Sequence, residues 1–156
     1  MTHLKVGELA PLFSTVDQDG APQNLVDYLG KKVVLFCYPK DDTPGCTAEA
    51  CSLRDGYSEL LGSGLVLLGL SPDEAKKHKK FIEKHELPFP LLLDTEKIIL
   101  NAYGIWSLKK FMGKEYMGVE RTTFIIDETG KLEQVITKVD TANHAKQILD
   151  LLTQNQ

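Results

Sequence analysis

Cysteine is scarce in this chain: three residues, at positions 37, 46 and 51, stand among 156. An odd and small number excludes the disulfide framework of small secreted folds, and close-spaced cysteines then point to catalysis, redox exchange or metal binding. No CxxC pair and no His/Cys cluster at zinc-ligand spacing occurs, so no metal is expected. No glycine-rich phosphate loop precedes a helix, and no cofactor is expected either. The densest apolar stretch, Leu65 to Leu70, is far shorter than a membrane span. Behind Met1-Thr2-His3-Leu4-Lys5 there is no apolar core of leader length, so the expected location is the cytoplasm, away from membranes. A formal net charge of −4 argues against binding to nucleic acid,. The one lysine-rich run, Lys76 to Lys80 broken by His78, reads as a solvated helix face between Glu74 and Glu83.

No repeat, low-complexity segment or Pro/Gly/Ser linker divides the chain, and 1–156 is expected to form a single domain. Asp19-Gly20, between Phe13–Val16 and Gln23–Leu25, reads as a hairpin turn. Lys32 to Tyr38 holds Val33, Val34, Leu35, Phe36 and Cys37 in succession, the pattern of a strand buried on both faces, and Leu65–Leu70 repeats it. A helical stretch from Pro44 to Leu61 separates the two, giving a βαβ unit and a parallel pair. A second helix is expected over Asp73–His85, with Pro72 in its first turn. Leu91–Leu93 reads as a short strand and Glu96–Tyr103 as a short helix. Thr122–Ile126 and Leu132–Thr137 read as a hairpin around Asp127-Glu128-Thr129-Gly130. Ala142–Leu152 closes the chain as an amphipathic helix. A parallel half followed by an antiparallel half specifies an α/β, thioredoxin-like fold: a mixed central sheet, flanking helices and an N-terminal β-hairpin extension.

The informative segment is Tyr38-Pro39-Lys40-Asp41-Asp42-Thr43-Pro44-Gly45-Cys46-Thr47-Ala48-Glu49-Ala50-Cys51. It leaves the carboxyl end of the first buried strand, where open α/β sheets bind ligands, and enters a helix. Thr43 suits the N-cap and Pro44 the first helical position. Cys46 then lies in the first turn, where unpaired N–H groups and the helix dipole favour a negative charge, so its thiol is expected to ionise readily. Cys37, inside a buried strand, is expected to be packing. The four histidines, at 3, 78, 85 and 144, read as surface residues. Trp106, Phe111 and Met112 could wall the site or simply pack.

Pro39-x-x-x-Thr43-x-x-Cys46 resembles the active-site signature of the peroxiredoxins. Cys51, five residues further along the same helix, resembles the bacterioferritin-comigratory-protein (peroxiredoxin Q) subgroup. The resemblance covers nearly the whole chain, including Gly7–Phe13, Asp17–Gly20, Arg54-Asp55, Tyr103–Trp106, Phe111–Lys114 and Arg121–Asp127. It implies a thiol peroxidase in which Cys46 attacks the hydroperoxide and Cys51 resolves the product as an intramolecular disulfide. It further implies that Thr43 and Arg121 contact thiolate and peroxide, that Pro39 shields the site with Pro44 and Gly45 shaping it, that a thioredoxin-type protein is the reductant, and that the chain is a monomer. A thioredoxin-like disulfide reductase would use a CxxC pair instead. A redox sensor using the same cysteines need not cycle quickly, so turnover under excess reductant separates the two readings.

Magnitudes assign the work. A cysteine of ordinary pKa is only ~3% ionised at pH 7, and lowering that pKa to ~6 gains about thirtyfold. Enzymes typically need about a millionfold or more, so orientation and charge stabilisation must supply the rest. Free N–H groups of the Cys46 turn, the Thr43 hydroxyl and the Arg121 guanidinium are the available donors. Glu49 is expected to anchor Arg54 or another cation rather than transfer protons. Helix geometry adds a constraint: five residues give ~7.5 Å of rise and a Cα separation of roughly 8.6 Å. A disulfide accepts about 4.4–6.8 Å, so a 46–51 bond requires the helix to unwind.

Overall fold

The run of β-branched and large apolar residues at 33–37 leaves no polar face, so that strand must be covered on both sides. Its side chains alternate accordingly: Val33, Leu35 and Cys37 enter one core, Val34 and Phe36 the other,. The computed structural model describes residues 1–154. Strands β1 (Ser14–Val16) and β2 (Pro22–Asn24) form the expected N-terminal hairpin, followed by β3 (Lys32–Cys37), α1 (Pro44–Asp55), α2 (Tyr57–Gly62) and β4 (Leu65–Ser71). Then come α3 (Ala75–His85), β5 (Leu91–Leu93), α4 (Ile98–Ala102), β6 (Trp106–Phe111) and β7 (Lys114–Val119). Strands β8 (Thr122–Ile126) and β9 (Leu132–Ile136), a 3-10 turn at Thr141–Asn143 and α5 (His144–Gln154) complete the order.

The central sheet runs β5-β4-β3-β8-β9, with β3/β4 and β4/β5 parallel and β3/β8 and β8/β9 antiparallel. This is the mixed thioredoxin-like sheet the sequence specifies. On one face α1, α2, α3 and α5 bury Ala50, Leu53, Leu60, Phe81 and Ile148, together with Cys46. On the other, α4 and the N-terminal segment bury Ile99, Leu100, Leu4 and Phe13, together with Cys37. Among the described residues, no helix is long and apolar enough to cross a membrane.

Four expectations need correction. The stretch 44–61 is two helices, broken at Gly56, where a Cβ would stand 2.5 Å from the Ala145 Cβ: α5 packs so closely that only glycine fits. Helix α3 begins at Ala75, not at Asp73, because Asp73 is drawn to the cysteine loop and accepts the Asp41 amide at 2.6 Å. Strands β6 and β7 form a hairpin that the pattern did not announce, turning through Met112 and Gly113 at φ 52° and 80°. Phe111 and Met112 at its tip are 66% and 87% exposed, so they wall nothing, whereas Trp106 packs against the core beneath.

Candidate active site

The chain leaves β3 through Tyr38, whose ring is fully buried, and Pro39, half-buried beside it. Asp41 then turns inward. The Tyr38 hydroxyl donates to Asp41 Oδ1 at 2.5 Å, and His78 Nδ1 lies 2.6 Å from Asp41 Oδ2. His78 Nε2 faces the Leu92 carbonyl at 2.9 Å; a carbonyl only accepts, so that nitrogen carries a proton,. Asp42 is left-handed (φ 60°) and reaches Lys84 Nζ at 2.9 Å, which holds its carboxyl below the usual range. The loop is therefore pinned to α3 at two successive residues before the helix begins.

Thr43 occupies the N-cap of α1, but its hydroxyl donates to the Lys40 carbonyl at 2.9 Å and caps no amide. Pro44 is the exposed first helical residue. The first helical bond is Thr47 N–H to Thr43 O, at 2.8 Å, which leaves the amides of Gly45 and Cys46 ahead of the ladder,. Cys46 is 2% exposed. Arg121, arriving just before β8, donates from Nη2 to Cys46 Sγ at 3.2 Å and from Nη1 to Glu49 Oε1 at 2.6 Å. A Cβ on Gly45 would stand 3.2 Å from that same Nη2, so the small residue makes room for the guanidinium.

Glu49 has no exposed surface, and its carboxyl is pushed up to about 7 by burial, against the opposing pull of Arg121. The cation it holds is Arg121; Arg54 instead reaches the His85 carbonyl and Asp55. Behind Glu49 stands His144, also fully buried, with Nε2 3.5 Å from Glu49 Oε2 and 2.8 Å from Thr123 Oγ1. Burial holds its imidazole down at about 4. His78 and His144 thus both contradict the surface reading. The signal for His78 was its spacing with Phe81, Ile82 and His85 on one helix stripe; for His144, its place four residues before Ile148.

Cys51 lies on α1, partly exposed, and all three cysteines are free thiols. Cys37 faces the opposite core from Cys46, and burial raises its thiol well above the ordinary range. The structure thus brings together Cys46, Arg121 and Gly45 with Glu49 and His144; Thr43 precedes them at the N-cap with its hydroxyl turned to Lys40, and Pro39 lies at the exit of β3. Among the described residues there is no cluster of potential metal ligands.

Comparison with known proteins places the chain in a family. Residues 6–135 match the AhpC/TSA family. The chain is 46% identical to peroxiredoxin Bcp of Bacillus subtilis over 149 residues, covering 96% of this chain and 95% of that one. It superimposes on peroxidoxin BcpB of Mycobacterium tuberculosis with a TM-score of 0.86 at 35% identity, covering 99% of each chain. A structure of the Xanthomonas campestris bacterioferritin comigratory protein, described for its alkyl peroxide reduction activity, aligns with a TM-score of 0.86 at 29% identity over 99% of each chain. The chain therefore belongs to the AhpC/TSA family, and is a thiol-dependent peroxidase of the peroxiredoxin kind.

Proposed function

We propose that Cys46 is the attacking sulfur and Cys51 the resolving one, a reading carried by the contact of Arg121 Nη2 with Cys46 Sγ at 3.2 Å. The thiolate attacks one peroxide oxygen, the O–O bond breaks, and Cys46 is left as a sulfenic acid. The Cys51 sulfur then attacks it, expels water and closes the disulfide. Arg121 and the free amides of Gly45 and Cys46 stabilise the charge that develops on the departing oxygen. Thr43 and Pro39 orient and shield the peroxide, and Pro44 and Gly45 set the turn. The activity of the Xanthomonas relative supports organic hydroperoxides as substrates beside hydrogen peroxide. A thioredoxin-type dithiol protein returns the disulfide to thiols. The whole chain, 1–156, works as one cytoplasmic, monomeric domain.

Both cysteines lie in one regular helix, so disulfide closure requires α1 to unwind, starting at its N-terminal end,. Intact mass after one equivalent of peroxide tests the assignment. Cys46→Ser should consume no peroxide, and Cys51→Ser should gain one oxygen without forming an intramolecular disulfide. Full activity in Cys46→Ser would sink it. Amide exchange across 43–54 should be faster in the disulfide form than in the dithiol form, and equal exchange would refute the unwinding.

A further inference from the structure

Around Cys46 one fixed cation serves two acids. Arg121 touches the Cys46 sulfur at 3.2 Å and Glu49 Oε1 at 2.6 Å, and its side chain is only 22% exposed. Glu49 is fully buried, so water cannot solvate a second negative charge there. One cation cannot balance two negative charges in a site closed to water, so where Cys46 reacts as a thiolate Glu49 keeps its proton.

The hydrogen bonds show where that proton sits. Oε1 is occupied by Arg121, while Oε2 has no hydrogen-bond partner among the described residues. Gln147 donates from Nε2 to the Lys138 carbonyl at 2.9 Å, which turns its Oε1 toward the Asp140 amide and toward His144 Nδ1, 2.8 Å away. Nδ1 therefore carries the hydrogen of the neutral ring, and Nε2 offers a lone pair. Thr123 donates to it, and Glu49 Oε2 faces it at 3.5 Å. The Thr123 hydroxyl fills that lone pair, so the ring presents no N–H to Oε2 and nothing there stabilises a carboxylate,. Arg121 donates to Oε1, so the proton rests on Oε2, in line with burial raising Glu49 to about 7 and holding His144 down at about 4. The titratable and charged groups around the pair are Cys46 on the same helix, Arg121 beside β8, the Cys37 thiol of β3 and Asp140 before α5.

We propose that Glu49 keeps a proton on the oxygen facing His144 while Cys46 is a thiolate, and gives it up when Cys46 is oxidised. Glu49 is then the residue that balances the proton count of the reaction, and His144 positions it. This rests on the assignment of Cys46 and Cys51 above. The reduced site comprises a Cys46 thiolate, a Cys51 thiol and a Glu49 carboxylic acid. Attack on ROOH forms the S–O bond, breaks the O–O bond and releases RO−; Cys51 then displaces the sulfenic oxygen, which leaves as water. Two electrons pass from the sulfurs to the peroxide, and the products are disulfide, ROH, water and a Glu49 carboxylate. No proton is drawn from bulk solvent. With Glu49 ionised from the start, the same reaction takes up one.

The test is stopped-flow oxidation by one equivalent of hydrogen peroxide, in dilute buffer with a pH indicator, with the disulfide counted by intact mass. The wild-type protein should take up close to no protons per disulfide below neutrality, an intermediate number near it and one in alkaline solution. Glu49→Gln, nearly isosteric, should take up one proton throughout that range. His144→Gln, which offers Oε2 a donor and so favours the carboxylate, should move the wild-type rise to lower pH. Uptake of one proton by the wild type below neutrality, a count indifferent to Glu49→Gln, or a zero count in a reduced protein whose Cys46 shows no thiolate absorbance, would overturn the proposal. Failure to form the Cys46–Cys51 disulfide would overturn the site assignment and this inference with it.

Discussion

Two buried histidine–carboxylate contacts flank Cys46, one on either side, and they are built oppositely. Before the helix, His78 and Asp41 meet at 2.6 Å, with Tyr38 donating to the second carboxylate oxygen and the Leu92 carbonyl fixing the far nitrogen. Every polar atom of that pair is used. Behind the helix, His144 and Glu49 stand 3.5 Å apart, with one carboxylate oxygen unsatisfied and the ring turned so that its lone pair faces the acid. The first arrangement is a clamp: it ties the cysteine loop to α3 whatever the sulfur does. The second leaves one carboxylate oxygen unpaired beside a cation that touches the sulfur. The same residue types thus hold shape on one side and charge on the other; the outer ring nitrogen faces a carbonyl oxygen in both, and the difference is the contact itself, closed at 2.6 Å in one and open at 3.5 Å in the other.

The comparison breaks hardest at the clamp. His78→Leu leaves the Asp41 carboxylate buried with Tyr38 alone and should cost about 3–5 kcal/mol of stability, read by urea unfolding. Peroxide oxidation of the folded fraction should change little. A large rate loss without a stability loss would mean that this side, too, serves the chemistry.

The pH dependence of stability sharpens the contrast. The folded-state value of Glu49, about 7, lies above the ordinary 4.5, so its contribution is full below 4.5 and is lost as pH rises toward about 7,. The folded-state value of His144, about 4, lies below the ordinary 6.5, so its contribution is full above 6.5 and is lost as pH falls toward about 4,. Each swing is worth about 3 kcal/mol, and between 4.5 and 6.5 the two oppose each other,. The reduced wild-type protein should therefore show a nearly flat profile there. Glu49→Gln should leave the His144 slope exposed, with stability rising with pH; His144→Gln should leave the Glu49 slope, with stability falling. Urea midpoints across that range decide it, and parallel profiles in all three proteins would refute the pairing.

The third effect is on rate and not on stability. Arg121→Met should slow Cys46 oxidation by ~10²-fold or more, the usual cost of losing a preorganised donor. Thiolate absorbance, followed against pH, gives the ionised fraction separately. A rate loss no larger than the fall in that fraction would reduce Arg121 to a counter-ion.

Much of this was legible in the sequence. Runs such as 33–37 and 65–70 can only be strands covered on both faces, and Thr43-Pro44-Gly45-Cys46 carries its own helix start. What the sequence hid depends on packing between distant elements. Gly56 breaks a helix because Ala145 sits against it, which no local pattern records. His78 was masked by its four lysine neighbours, although the stripe it shares with Phe81 faces the core. The hairpin of β6 and β7 turns through Met112, a residue rarely found with positive φ, so only Gly113 signalled it,. Glu49 was correctly read as a partner for a cation, but which cation required the path of β8.

The break at Gly56 also bears on redox poise. Helix α1 is bounded by the clamp at Asp41 on one side and by the seat of Gly56 on Ala145 on the other, so it can open as a local unit while the sheet stays folded,. In the proposed cycle the free energy of that opening separates the dithiol form from the disulfide form, and it therefore enters the reduction potential directly. A change of ~1 kcal/mol in helix propensity, the size of an alanine-to-glycine exchange, corresponds to about 20 mV. Residues such as Ala48, which carry no reacting group, would then set how hard the proposed disulfide is to reduce: the weaker the helix, the more negative the potential.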